Sequence, residues 1–228
     1  MQPTVLLFDI DGTLINAGGA GRRSMERAFE RVTGRADACS HFTFDGMTDR
    51  AIVRAGLRAI DRPSDEPHID EVIDAYLAAL AVEIVESPGY TTHPGVHEVL
   101  VHCERSGCAM GLGTGNVREG ARIKLGRSGL FDRFAFGGFG CDHEDRAELI
   151  RVGAERGAER LGCAPGECRV VVIGDTPKDV AAAIAIGAES LAVATGRYDV
   201  GALAASGATA VFERLDEPGA LAMLFSRG

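Results

Sequence analysis

Positive charge is scarce in this chain. Its 24 lysines and arginines are outnumbered by 33 aspartates and glutamates, for a formal net charge of −9 over 228 residues. That balance leaves no basic footprint for a nucleic-acid backbone or an anionic membrane surface, so neither is an expected partner. Lysine is the rarer cation, present only at Lys124 and Lys178. Long apolar runs are missing too: nothing approaches the ~18 residues of a membrane span. The opening MQPTVLLFDID has four successive apolar residues and no basic region, too little for a signal peptide, and the expected location is the cytoplasm.

Cysteine is not scarce, but six cysteines in a chain of this length without an export signal read as reduced, mostly buried thiols. The spacings Cys103/Cys108 and Cys163/Cys168 are looser than most zinc knuckles, so no structural zinc is expected. His93, His97 and His102 cluster in sequence, yet HPGVHEVL reads as a helix start with Pro94 in its first turn and the histidines as surface or cap residues. What remains is an ordinary globular composition, 46% hydrophobic with mean hydropathy +0.05, long enough for one domain plus an insert.

The segment VLLFDIDGTLI (residues 5–15) carries the first chemical signal. Its continuous apolar start predicts a buried strand of a parallel sheet. In an extended chain, side chains two apart point the same way, so Asp9 and Asp11 face one spot. Two carboxylates held that close repel, and one drifts toward neutrality unless a cation sits between them. Gly12 permits a sharp bend or a close backbone approach to a ligand. An Asp-Gly turn after a strand is the plainer alternative. The paired acids at the strand's carboxyl end favour a cation or phosphate site.

Downstream, Met25, Ala28, Phe29 and Val32 recur at helical spacing before Gly34, and further helices are expected over 49–60 and 69–86. No strand is evident from about 16 to 93, which predicts a mostly helical insert ending at SPGYTTHPG. From there short apolar runs alternate with helices. Strands are expected at 108–116, 134–139, 169–175, 190–195 and 209–213, and helices at 96–106, 117–128, 146–161, 177–187 and 199–206. This alternation implies βαβ units: an α/β, doubly wound parallel sheet of Rossmann-like type. The expected organisation is a core of 1–15 and 94–228 with a small α-helical cap of 16–93. Ligands in such sheets gather beyond the carboxyl ends of the strands, where the sequence delivers Asp9 and Asp11, then Thr114-Gly115-Asn116, then Asp175 and Asp179.

DIDGT at 9–13, a threonine closing the next core strand and GDTPKD at 174–179 together resemble the haloacid dehalogenase (HAD) superfamily of phosphatases. The resemblance spans essentially the whole chain and extends to phosphoglycolate phosphatase-like members. It implies a Mg²⁺-dependent hydrolysis of a small phosphomonoester through an aspartyl phosphate. Asp9 is then the nucleophile, and Asp11 the acid for the leaving oxygen and later the base for water. Thr114 holds a phosphoryl oxygen, with Gly12, Gly115 and Asn116 as further substrate-binding positions. The metal falls to Asp9, the Asp11 carbonyl and Asp175, with Asp179 in support. The chemistry is coherent on its own terms: a carboxylate approaching a phosphate dianion needs positive charge and positioning, and a covalent intermediate divides the work.

The family's lysine ahead of the GD strand is missing. Arg146, about two residues late for that place, is the nearest cation in the segment, and Lys178 is the alternative. Within the superfamily, Asp11 argues against dehalogenation, and the absence of lysine from 16–93 argues against a Schiff-base phosphonate hydrolase. A β-phosphoglucomutase-like phosphomutase stays open, as does a non-catalytic phosphate-binding or partner-binding module. Thr48, Asp49 and Arg50 in the cap, with Arg22 and Arg23 after the glycine-rich exit, are candidates for substrate contact. The partner expected is a small phosphorylated metabolite, and the chain a monomer or homodimer.

Overall fold

Val5, Leu6, Leu7 and Phe8 are completely buried, as a continuous apolar run demands when both faces of a strand are covered. In the computed structural model, which describes residues 2–225, the strands in chain order are β1 (Thr4–Phe8), β2 (Ile15–Ala17), β3 (Tyr90–Thr92), β4 (Ala109–Thr114), β5 (Gly137–Phe139), β6 (Arg169–Gly174), β7 (Glu189–Val193) and β8 (Ala210–Phe212). The helices are α1 (Ala20–Thr33), α2 (Asp49–Ala59), α3 (Glu66–Glu86), α4 (Val96–Ser106), α5 (Arg118–Gly126), α6 (Arg146–Leu161), α7 (Pro177–Ala185), α8 (Val200–Ala205) and α9 (Pro218–Phe225).

Six strands form one parallel sheet in the order β5-β4-β1-β6-β7-β8, with β1 paired to β4 on one side and β6 on the other. The sheet is doubly wound. Leu6 and Phe8 join one apolar cluster with α4, α5 and α9, while Val5 and Leu7 face the opposite cluster with Leu149, Ile150 and Ala154 of α6 and Ala182 and Ala183 of α7. Each fully buried Leu, Ile or Phe in these layers contributes about 1.5–3 kcal/mol. Among the described residues, no helix is long and apolar enough to cross a membrane.

The helical insert is built from α1, α2 and α3, with α3 packed against both others. Two strands occur where none was expected. β2 and β3 pair antiparallel, Ile15 opposite Thr92 and Ala17 opposite Tyr90, so the chain enters and leaves the insert through one ribbon. At three residues each they are too short for a period to show, and β3 is masked by the turn residues around it. Gly18 (φ 60°) seals this crossing: a Cβ there would lie 2.0 Å from the Pro88 carbonyl oxygen. Two further differences are local. Pro94 lies ahead of α4, whose N-cap is Gly95, and α9 extends the fold beyond the last expected strand.

Candidate active site

β4, β1 and β6 are central neighbours, so their carboxyl ends bring three loops together. The loop after β1 carries Asp9, Asp11 and Gly12, β4 ends at Thr114, and Asp175 follows β6. These loops open into a cavity of about 380 Å³ whose opposite wall comes from the insert, including Arg22, Phe44, Asp49 and Tyr76. That volume suits a small metabolite.

Asp9 is 6% exposed. Its amide donates to the Ile173 carbonyl at 2.8 Å, which ties the site to β6. Burial pushes its carboxyl up to about 6, with Asp179 and Asp11 adding to the rise and Arg146 and the Thr114 hydroxyl opposing it. Arg146 opens α6 behind the N-cap Asp145 and is buried. Its Nη2 lies 3.1 Å from Asp9 Oδ1, and its Nε and Nη2 lie 2.8 and 2.5 Å from Asp179 Oδ1.

Asp179 is fully committed. Its other oxygen accepts from the Thr176 amide and hydroxyl at 3.0 and 2.7 Å, the reciprocal capping box that starts α7. Asp175 accepts from the Thr13 hydroxyl at 3.3 Å, and burial, then Asp179 and Asp9, hold its carboxyl well above the usual range. Gly12, at φ 84°, leaves room for it: a Cβ would sit 2.3 Å from Asp175 Oδ2.

Asp9, Asp175 and Asp179 offer oxygens that all lie within 4.8 Å of one another, each residue buried. One guanidinium does not balance three carboxylates in so dry a place; burial first, and then the neighbouring carboxylates, raise Asp9 and Asp175. A hard, all-oxygen donor set of this kind fits a small divalent cation such as Mg²⁺.

The second acid has different company. Asp11 Oδ2 accepts from Lys124 Nζ at 2.6 Å and from Asn116 Nδ2 at 2.9 Å, while the same Asn116 amide donates to Thr114 Oγ1 at 2.9 Å. Lys124 rides on α5 and its side chain is only 6% exposed. Burial alone lowers an ammonium's pKa, but Asp11, Tyr76 and Asp49 around it raise it overall, so it stays charged. Sequence reasoning passed over Lys124 because it lies outside the segment where the family's lysine falls. A signal existed: Lys124 sits between Ala121 and Leu125 on the buried stripe of α5. A lysine there, in a chain with two, is an anomaly to explain.

The remaining expected positions divide. Arg22 lines the cavity, stacked 4.0 Å over the Phe44 ring and bonded to the Cys39 and Phe42 carbonyls. Gly115 and Asn116 line it as well, and Gly115 carries the seam: its carbonyl accepts from the Asp49 amide at 2.8 Å, and a Cβ would meet the Met47 carbonyl oxygen at 2.4 Å. Thr48 is the N-cap of α2 and donates to the Glu144 carbonyl, a joint between insert and core rather than part of the cavity wall.

Arg50 is not brought to the cavity; its guanidinium pairs with Glu66 and Asp70 on the outer side of the insert. Arg23 instead pins the ribbon, bonding Glu83, the Gly18 carbonyl and Ser87. Arg146, and not Lys178, makes the contact with Asp9. His93, expected at the surface or a cap, lines the cavity with Nε2 buried and unpartnered among the described residues.

Comparison with known proteins agrees with this architecture. No curated protein matches the chain. Among solved structures, a predicted phosphatase from Clostridium acetobutylicum superposes with a TM-score of 0.70 at 18% identity, covering 95% of this chain and 96% of that one. CbbY from Rhodobacter sphaeroides, solved in complex with phosphate, gives 0.71 at 16% identity, covering 96% and 99%. A predicted phosphoglycolate phosphatase from Haemophilus somnus gives 0.67 at 17%, covering 94% and 95%. At these identities the likeness is one of fold. The family model for haloacid dehalogenase-like hydrolases matches residues 3–187, most of the chain and every acid described above, and the chain belongs to that family.

Proposed function

We propose that this protein is a Mg²⁺-dependent phosphatase that hydrolyses a small phosphomonoester through a phosphoaspartyl intermediate on Asp9. The observation that carries the reading is the separation of the two acids. Asp9 lies buried among Arg146, Thr114, Asp175 and Asp179, whereas the Asp11 side chain is 43% exposed and held by Lys124 and Asn116. One carboxylate is placed to attack and the other to exchange a proton.

Asp9 attacks phosphorus while the ester oxygen leaves with its bonding pair and takes a proton from Asp11. Asp11, now ionised, takes a proton from the water that cleaves the phosphoaspartate, which returns Asp9 and releases phosphate. Arg146 places positive charge beside the attacking oxygen, and Asp179 fixes the guanidinium. Bound at Asp9 and Asp175, a divalent cation would offset the repulsion between the carboxylate and the phosphate dianion.

Residues 16–93 serve as the cap and 1–15 with 94–228 as the core, joined at the β2–β3 ribbon. Arg22, on the cap side of the cavity, is the side chain we assign to an anionic group on the substrate, as in a phosphoglycolate-like ester. The test is phosphate release from a panel of phosphorylated metabolites with Mg²⁺ present or chelated. Release from small monoesters that stops with chelator supports the proposal. No release from any compound, or full activity in chelator after tightly bound metal is removed, contradicts it.

A further inference from the structure

Three helices of the insert converge on Lys124, a residue the reaction as written above does not use. Tyr76 of α3, Asp49 of α2 and Gly21 of α1 share the cavity wall with Lys124, the glycine leaving space for the ammonium and the Tyr76 hydroxyl. A Cβ on Gly21 would stand 3.3 Å from Nζ and 4.0 Å from the Tyr76 hydroxyl. The surroundings are dry: Tyr76 is 1% exposed and Asp49 6%. Keeping a charged lysine here is costly unless every proton of the ammonium has a partner. Asp11 takes the ammonium in a hydrogen bond at 2.6 Å, and Tyr76 and Asp49 of the insert stand near it on the other side of the seam.

Both groups that reach Asp11 Oδ2 are donors with no lone pair to offer, the Lys124 ammonium at 2.6 Å and the Asn116 amide N–H at 2.9 Å. An oxygen facing two donors cannot also carry a proton toward them. The exchangeable proton of Asp11 is therefore restricted to Oδ1, the oxygen left to the cavity. We infer that Lys124 is a positioning residue for the leaving group. It clamps Asp11 Oδ2 so that Oδ1 alone delivers the proton, and the clamp is completed by Tyr76 and Asp49 when the insert lies against the core. This assignment rests on the phosphatase reading and adds a residue to it. When the ester bond breaks, the electron pair goes to the leaving oxygen, the Oδ1 proton follows it, and the ionised Asp11 left behind stays paired with the ammonium.

A role in proton delivery differs measurably from a role in shape. The need for an acid grows with the basicity of the leaving oxygen, and kcat/KM reports the steps through phosphoryl transfer alone. Wild-type protein, Lys124→Met and Tyr76→Phe are compared with Mg²⁺ on 4-nitrophenyl, phenyl and benzyl phosphate, which share a ring and differ in leaving-group basicity. For Lys124→Met we expect kcat/KM to fall on all three, with the loss at least about tenfold greater for benzyl than for 4-nitrophenyl phosphate, within the ~10²–10⁴ that general acid catalysis supplies. Tyr76→Phe, which keeps the ring and the packing, shows the same ordering at smaller size. It serves as the deciding variant if Lys124→Met fails to fold. An equal loss across the three esters, or no loss, overturns the assignment and leaves the phosphatase reading standing. Absence of turnover by the wild-type protein on these three esters and on the whole metabolite panel overturns both.

Discussion

Arg146 and Lys124 are both buried cations, each beside one acid of the Asp9-Ile10-Asp11 turn, at 3.1 and 2.6 Å. They are held by different parts of the molecule. Arg146 is held mainly from the core: α6 presents it, Asp179 takes its guanidinium in two contacts and is locked by the capping box of α7, and the insert adds only the Gly46 carbonyl, which accepts from Nη1 at 3.4 Å. Lys124 also stands on a core helix, but two of its neighbours, Tyr76 and Asp49, belong to the insert. Asp9 is thus held mainly by core groups, whereas the ammonium beside Asp11 has insert residues around it as well. On the proposed phosphoryl transfer, where positioning supplies most of the catalysis, that arrangement gives the insert a part in setting the geometry around Asp11.

The largest effect tests the core half. Asp9→Asn keeps the shape and removes the attacking oxygen's charge, so turnover falls to background while the thermal transition is retained. Activity near wild type in pure protein would break the comparison at its base. Next is Arg146→Ala, for which kcat drops by about 10²–10³, the range for losing one preorganised donor at the transferring group. Arg146→Lys recovers only part, because a point charge cannot keep Asp179 and Asp9 in the fork's geometry. Lys178→Ala stays within a few-fold of wild type. Steady-state kinetics with saturating Mg²⁺ decide this, and the reverse order would move the essential cation to the loop after β6.

A smaller effect tests the seam by pH. Burial raises Asp49 from 3.8 to about 6, so the folded state holds this proton more tightly than the unfolded chain. Ionising it as pH rises from about 4 to 6 therefore weakens folding, and Asp49→Asn lacks that loss. The stability of Asp49→Asn relative to wild type should rise across this window by on the order of 2–3 kcal/mol. Urea unfolding at the two ends of the window measures it, and a difference that does not change with pH would mean that Lys124 already compensates Asp49 in full. The smallest effect is at Arg50. Its ion-pair partners are exposed, so Arg50→Ala should change stability by no more than ~1 kcal/mol and kcat/KM by less than about twofold. A large kinetic loss would place Arg50 at the substrate after all.

The core could be read from sequence because its signals are local and repeated. The three central strands β1, β4 and β6 are mostly apolar runs that lead into a polar residue, so Asp9, Thr114 and Asp175 announce themselves in order. Arg146 was legible as the nearest cation in its segment. The seam was not legible in this way. Lys124, Tyr76 and Asp49 are 75 residues apart at the extremes and meet only through the packing of α2, α3 and α5, so no spacing along the chain encodes the contact. Arg50 misled for the same reason: one residue from Asp49, it lies on a different side of α2, and helical rotation turns its side chain to Glu66 and Asp70 of α3. The β2–β3 ribbon escaped because two three-residue strands exist only as a pair.

The central claim is that Asp9 carries the phosphoryl group. The direct measurement is reductive trapping: protein turning over a phosphate ester with Mg²⁺ is quenched with borohydride, which converts a phosphorylated aspartate to homoserine, and the peptide holding residue 9 is analysed by mass spectrometry. The account predicts homoserine at position 9 only when substrate and Mg²⁺ are both present, and none in Arg146→Ala beyond its residual turnover. Conversion at another aspartate, or turnover with no conversion at all, would contradict it.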